Sequence, residues 1–296
     1  MLNILVTGAD GQLGNELRLL GVTSSNRYIF TDVSELDITD AEAVEKAVAD
    51  NEADVIINCA AYTDVERAEE EEHKAFAINC TAVKNLAEAA AQHGATLIHI
   101  STDYVFDGRS DTPYTEDMPT KPAGAYGRTK LAGEKAITKS GCRHLIFRTS
   151  WLYSEFGSNF LKKMMRLTAE RDSLKVVFDQ TGTPTYAADL ARAIFDIVES
   201  GKYKGNEGLY HFSGEGVCSW YDFAAEIAAE AGNSRCKITP CRTWEYPTEA
   251  VRPFYSVLDK STYKRTFGTS IPHWREAMKR CIARIKNNDS ICSAKF

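Results

Sequence analysis

No stretch of this 296-residue sequence approaches the roughly 18 consecutive apolar residues that a membrane-spanning helix needs. The apolar run at the amino terminus, Met1 to Val6 interrupted by Asn3, is short and has no basic segment, so a secretory signal is not expected and the chain reads as cytoplasmic. An excess of positive charge is also missing: 35 Lys and Arg stand against 41 Asp and Glu, for a net charge of −6. A general nucleic-acid binder draws affinity from a basic surface meeting phosphates, which argues against that class. Zinc-type spacing is absent too. Cys236 and Cys241 are close, but no histidine or second cysteine pair completes a ligand set, and Cys59 and Cys80 fall where a small hydrophobe serves equally well. Free thiols are expected. There is no internal repeat and no low-complexity segment. What remains is 44% hydrophobic and 26% charged residues, ordinary for a globular chain long enough to bury one large core or two modest ones.

Short apolar, β-branched runs recur at Asn3 to Thr7, Tyr28 to Thr31, Asp54 to Cys59, Thr96 to Ser101 and His144 to Thr149. Between them, Gly14 to Leu20, Ala41 to Asp50, Ala75 to Gly94 and Tyr126 to Ser140 carry apolar residues at helical spacing. Strands alternating with helices of this length predict an α/β, Rossmann-type doubly wound parallel sheet. Beyond Trp151 the pattern loosens: helices are expected at Met164 to Glu170, Ala187 to Ser200, Ser219 to Ala231 and Pro272 to Lys286, and strands at Leu174 to Phe178 and Leu209 to Ser213. The expected division is a dinucleotide-binding domain over 1–150, with returning segments near 174–213, and a smaller, mainly helical, discontinuous substrate lobe over 151–296. That lobe should pack beside the carboxyl ends of the strands, where open α/β sheets bind ligands.

Gly8-Ala9-Asp10-Gly11-Gln12-Leu13-Gly14 follows the first strand directly and opens the first helix. Glycine every third residue permits a tight turn, close backbone approach to a pyrophosphate, and close packing of helix on sheet. Gly8, Gly11, Gln12, Leu13 and Gly14 are therefore candidate cofactor positions. Asp32 ends the second strand, where an acid accepts hydrogen bonds from ribose hydroxyls and favours an unphosphorylated ribose. Asp37 and Ile38 are further candidates, with a helix cap and a core residue as the plainer readings. Tyr126 and Lys130 stand four apart at the start of a helix, so both project from one face and the ammonium can ease proton loss from the phenol. Taken alone, that spacing serves packing and solubility just as well.

The glycine spacing followed by Tyr-x-x-x-Lys resembles the extended short-chain dehydrogenase/reductase family. Asn58-Cys59-Ala60-Ala61-Tyr62-Thr63 is similar to the segment that lines the nicotinamide side in that family, which implies cofactor contacts at Ala60, Ala61 and Tyr62. Ser101-Thr102-Asp103-Tyr104-Val105-Phe106-Asp107-Gly108, Arg148-Thr149-Ser150-Trp151-Leu152-Tyr153 and Gly182-x-Pro184-Thr185 narrow the likeness to members that reduce dTDP-linked ketosugars.

That resemblance implies hydride transfer from NADPH or NADH to a ketone carbon, with Tyr126 donating a proton to its oxygen. Thr102 would hydrogen-bond the same oxygen; Lys130 would bind the nicotinamide ribose and lower the phenol's pKa. It further implies substrate contacts at Thr63, Val65, Thr102, Asp103, Tyr104, Trp151, Asn159 and Arg252. The Trp151 indole would offer a face to a sugar ring and the Arg252 fork would suit a diphosphate. Some members carry an acidic pair after the Pro-Thr motif that supports a metal-bridged dimer. Here only Asp189 follows Pro184-Thr185, although Glu16 is present, so no metal is expected and monomer or homodimer stays open. A nucleotide-sugar epimerase or dehydratase shares the glycine turn and the Tyr/Lys pair, and a cofactor-binding regulatory subunit is the reading from another class.

Overall fold

The computed structural model describes residues 1–293, with side-chain surroundings for 1–287. Five strands alternate with helices early in the chain: β1 (Asn3–Thr7), β2 (Arg27–Thr31), β3 (Val55–Asn58), β4 (Thr96–Thr102) and β5 (Arg143–Thr149). With β6 (Gly208–His211) they form one sheet in the order β6-β5-β4-β3-β1-β2, parallel at every pairing.

Successive side chains of a strand point to opposite faces, and this sheet is apolar on both. Ile4, Val6, Val55, Ile57, Ile98 and Phe147 enter one cluster; Leu5, Ile56, Leu97 and Ile146 enter the other. Helices α1 (Gln12–Gly21) and α6 (Ala187–Glu199) cover the first face, while α2 (Ala41–Asp50), α3 (Ala82–His93) and α4 (Ala125–Ser140) cover the second. Such two-sided burial is why the strands read as continuous apolar runs. Asp40 caps α2 by accepting from the backbone N–H of Glu42 and Ala43 at 3.0 and 3.1 Å. Gly94 ends α3 in the left-handed region, as expected.

Two elements differ from the sequence reading. The helix expected over Ala75 to Gly94 is divided into Glu72–Phe76, a π-helical turn at Ala77–Thr81, and α3. Ser173–Val177 does not enter the large sheet; it pairs in parallel with Lys237–Cys241, a strand that the sequence pattern hides because Pro240 interrupts it. Around that pair, α5 (Phe160–Glu170), α7 (Trp220–Ala231) and α8 (Trp274–Ser293) bury Met164, Val176, Phe223, Trp274 and Ile282 in a third cluster. Among the described residues no helix is long and apolar enough to cross a membrane. The cysteines described, from Cys59 to Cys281, are free thiols.

Candidate active site

The glycine turn sits where β1 ends. Gly8 has φ +66°, and a Cβ there would lie 2.5 Å from the Ala60 nitrogen, so the turn and the segment after β3 touch only because position 8 is bare. A Cβ on Gly14 would lie 2.5 Å from the Ala9 Cα, the close helix-to-turn contact expected of the third glycine. Leu13 is buried in the core, leaving its backbone as the part that can face a ligand. Gln12 Oε1 accepts from Asn159 Nδ2 at 2.9 Å, joining a candidate cofactor residue to a candidate substrate residue. Asn159 also caps α5, accepting from the Lys162 N–H at 3.0 Å.

Asp32 Oδ2 accepts from the Asp10 N–H at 2.9 Å and Oδ1 from the Val33 N–H at 2.8 Å, so its carboxylate already steadies the turn. Arg18 pairs with Asp10 beside it at 3.0 Å. Asp37 accepts from the Thr39 N–H and hydroxyl at 2.9 and 2.7 Å, so it holds the turn before α2 and leaves the cap to Asp40, while Ile38 is buried in the core as its plainer reading had it.

Ala60, Ala61 and Tyr62 follow β3. Asn79, at the π turn, accepts from the Tyr62 N–H at 2.9 Å, and its amide donates to the Tyr62 carbonyl and the Thr129 hydroxyl, each at 3.1 Å. One buried side chain thus ties this segment to α4. Asn79 is a residue the sequence reading missed, since a polar residue within a helical run carries no special signal. Thr63 is exposed and Val65 half-buried nearby.

Thr102 ends β4. Its hydroxyl donates to Asp103 Oδ1 at 3.0 Å, accepts from the Tyr104 N–H at 3.2 Å, and faces the Tyr126 phenol. Burial pushes that phenol up to about 12, the Thr102 contact lowers it, and Asp103 raises it. Asp103 itself is pushed up to about 7 by burial. The Tyr104 ring meets Tyr126 edge-on, centroids 5.5 Å apart. Helix α4 is held close: a Cβ on Gly127 would fall 2.1 Å from the Tyr104 carbonyl oxygen, and Glu69 Oε1 accepts from the Ala125 N–H at 2.8 Å.

Lys130 is directed to β4: its side-chain nitrogen donates to the Ile100 carbonyl at 2.6 Å and lies 3.4 Å from His99 Nε2. Burial lowers it to about 8, and Glu134 one turn on pulls it back up. Glu134 is buried in a two-pronged pair with Arg148, at 2.9 and 2.7 Å.

Trp151 is engaged within the protein. Its ring stacks on Trp220, centroids 3.5 Å apart at 9°, and lies so close to Gly182 that a Cβ there would fall 2.7 Å from it. One face of the Trp151 indole is therefore taken by Trp220. Trp220 also lines a cavity of about 600 Å³ with Phe160, Met164, Leu167, Val176 and Arg252. Arg252 at that rim is engaged by Glu66, its Nε donating at 3.1 Å, and by the Tyr104 hydroxyl.

Asp189 and Glu16, the acids considered for a metal, are taken up by arginines. Arg280 donates to both Asp189 oxygens at 2.7 Å, and Arg284 bridges Glu16 and Glu155 at 3.2 and 2.8 Å. Carboxyl groups whose oxygens are already engaged by guanidinium N–H groups do not offer a free donor set to a cation, and among the described residues no cluster of His, Cys, Asp and Glu is placed to hold one.

Residues 2–287 match the family described as the RmlD substrate binding domain. A dTDP-4-dehydrorhamnose reductase of Aggregatibacter actinomycetemcomitans is 41% identical over 292 residues, covering 94% of this chain and 98% of that protein. The crystal structure of a dTDP-4-dehydrorhamnose reductase from Clostridium acetobutylicum superposes with a TM-score of 0.92 at 44% identity, covering 96% of this chain and 100% of that one. That of a dTDP-4-dehydrorhamnose reductase from Bacillus anthracis, in complex with NADP, gives 0.91 at 37% identity with the same coverage of each chain.

Proposed function

Since the chain belongs to the family of dTDP-4-dehydrorhamnose reductases, we propose that it reduces the C4 ketone of dTDP-4-dehydro-L-rhamnose to the alcohol of dTDP-L-rhamnose with NADPH or NADH. The observation that carries this reading is the Thr102 hydroxyl facing the Tyr126 phenol at the carboxyl end of β4, one helical turn from Lys130.

The bare turn at Gly8, Gly11 and Gly14 and the free N–H groups of Gln12 and Leu13 suit a pyrophosphate at the start of α1. Ala60, Ala61 and Tyr62 are assigned to the nicotinamide side. Bound there, the reduced nicotinamide supplies the hydride. Tyr126 gives its proton to the ketone oxygen as charge develops on it; even with its pKa raised, a phenol is a stronger acid than the sugar alcohol formed. Thr102 hydrogen-bonds the same oxygen, and Lys130 holds the ribose. Because Asp32 already serves two backbone amides, its charge bars a 2′-phosphate less than its position suggests, and Arg18 is the adjacent cation. NADP in the Bacillus anthracis relative supports NADPH.

The cavity at Phe160, Trp220 and Arg252 is assigned to the nucleotide: apolar walls for the base, and Arg252 for the diphosphate once it exchanges Glu66 for phosphate oxygens. Thr63, Val65, Asp103, Tyr104, Asn159 and Trp151 remain the proposed sugar contacts. On this reading 1–150 with β6 holds the cofactor, and most of 151–296 holds the substrate. Mixing the protein with dTDP-4-dehydro-L-rhamnose and NADPH should consume the near-ultraviolet absorbance of the reduced nicotinamide. No loss with either NADPH or NADH rejects the proposal.

A further inference from the structure

Three adjacent strands each place one polar side chain at the same level of an otherwise apolar face. Thr7 is in register with Asn58, and Asn58 with His99. By the alternation of the strands they share the face of Leu5, Ile56 and Leu97, which α4 covers, and all three are buried. Each hydrogen in this row can be assigned. The Ala60 backbone N–H donates to Asn58 Oδ1 at 3.0 Å, and the Thr7 hydroxyl donates to the same atom at 2.9 Å. A backbone N–H can only donate, so that atom is the amide oxygen, and the amide NH₂ is what meets His99 Nδ1 at 3.1 Å. An NH₂ likewise only donates; Nδ1 is therefore an acceptor. The single hydrogen of the neutral imidazole then sits on Nε2, which faces Lys130 Nζ at 3.4 Å. An amine lone pair can accept that hydrogen, whereas an ammonium has no lone pair to offer.

We propose that His99 is a positioning residue, locked by Asn58 as the Nε2–H tautomer, which holds Lys130 and biases it toward the uncharged amine, so placing the alkaline limit of the reduction. The remaining groups around Lys130 act otherwise. Glu134 on α4 favours the ammonium but is itself paired with Arg148 of β5; Tyr126 lies one turn back, with Asp103 acting on the phenol; Asn79 at the π turn is neutral. His99 stays neutral because burial and the neighbouring Lys130 hold it well below the usual histidine range. The row also links the glycine turn after Thr7 to the catalytic lysine through Ala60 and Asn58, and so connects both ends of the proposed cofactor site.

Only the kinetic consequence rests on the reductase reading; the tautomer belongs to the protein without ligands. In ¹⁵N NMR of ring-labelled histidines, with His99 identified by the signals lost in His99→Gln, the expected spectrum at neutral pH has hydrogen on Nε2 and none on Nδ1. An Nδ1–H tautomer, or an imidazolium, overturns the proposal. Asn58→Asp should invert the tautomer, since a carboxylate can only accept; an unchanged tautomer in that variant also counts against it. In the pH profile of kcat/KM, His99→Gln keeps an N–H for Lys130 and should leave the alkaline limb in place, while His99→Leu should move it up by about one pH unit, the size expected of one hydrogen bond. A limb unmoved in an active His99→Leu variant removes the lysine half of the inference.

Discussion

Tyr126 does two separable things: its ring packs edge-on against Tyr104, and its hydroxyl faces Thr102. Phenylalanine keeps the first and deletes the second. Tyr126→Phe should therefore melt like the parent in circular dichroism while NADPH turnover falls by about a hundredfold or more, because only proton donation is lost. Equal turnover in the variant ends the assigned role. Arg148 poses the opposite case, a side chain whose loss is a folding problem first. Its guanidinium and the Glu134 carboxylate are only 4% and 7% exposed. Arg148→Met leaves that carboxylate buried with the Ser101 hydroxyl and the more distant Lys130 as its remaining support. Breaking one side of such a pair costs about 3–5 kcal/mol, which urea unfolding would read directly.

Among elements, α4 matters most, because it carries both Tyr126 and Lys130 and is seated by missing atoms. A Cβ on Gly133 would lie 2.2 Å from the Asn79 carbonyl oxygen at the π turn, and that atom is backbone, which cannot swing aside. Gly133→Ala must push α4 or the π turn outward. A stability loss of about 1–3 kcal/mol in thermal unfolding is expected, with slower turnover as Tyr126 leaves Thr102; unchanged stability contradicts the contact. The glycine turn, the five early strands and α4 were legible in the sequence because each has a local cause: apolar runs buried on both faces, or a turn that admits no side chain. Residues whose meaning depends on distant partners were not legible. Asn79 gains its role only where a π turn brings it to Tyr62 and Thr129. Lys130 shares a helical face with Tyr126, yet the Ile100 carbonyl of β4 accepts from its side-chain nitrogen. Trp151 carries a face suited to a sugar ring, but Trp220, sixty-nine positions later, stacks on one side of it. Lys237–Cys241 has a strand partner that its own composition, with Pro240 inside it, does not announce.

Across the whole molecule, the cofactor-side sheet and the later helices are joined by polar clasps rather than by apolar packing alone. Gln12 meets Asn159, and Arg284 of α8 reaches Glu16 of α1 as well as Glu155 and the Tyr186 hydroxyl. The second clasp gives the fold a pH-dependent stability with a definite sign. Burial, then the adjacent Glu155, raise Glu16 from 4.5 to about 8 in the folded protein. Between those values the folded chain keeps a proton that the unfolded chain releases, so the unfolded state binds fewer protons and stability declines as pH rises. The contribution is complete below the ordinary carboxyl range and lost by about pH 8. Glu155 is lowered instead, so its own transition falls below that window and does not mask it. Asp103, raised to about 7, and His211, lowered to about 3, also titrate differently in the two states. A direct comparison of variant with parent cancels both. Glutamine at position 16 has no proton to lose, so Glu16→Gln and the parent should differ little in melting temperature at pH 5, with the variant gaining on the parent steadily toward pH 8. A constant difference across that range would mean that Glu16 ionises as an ordinary carboxyl, and that Arg284 joins α1 to α8 as a plain ion pair.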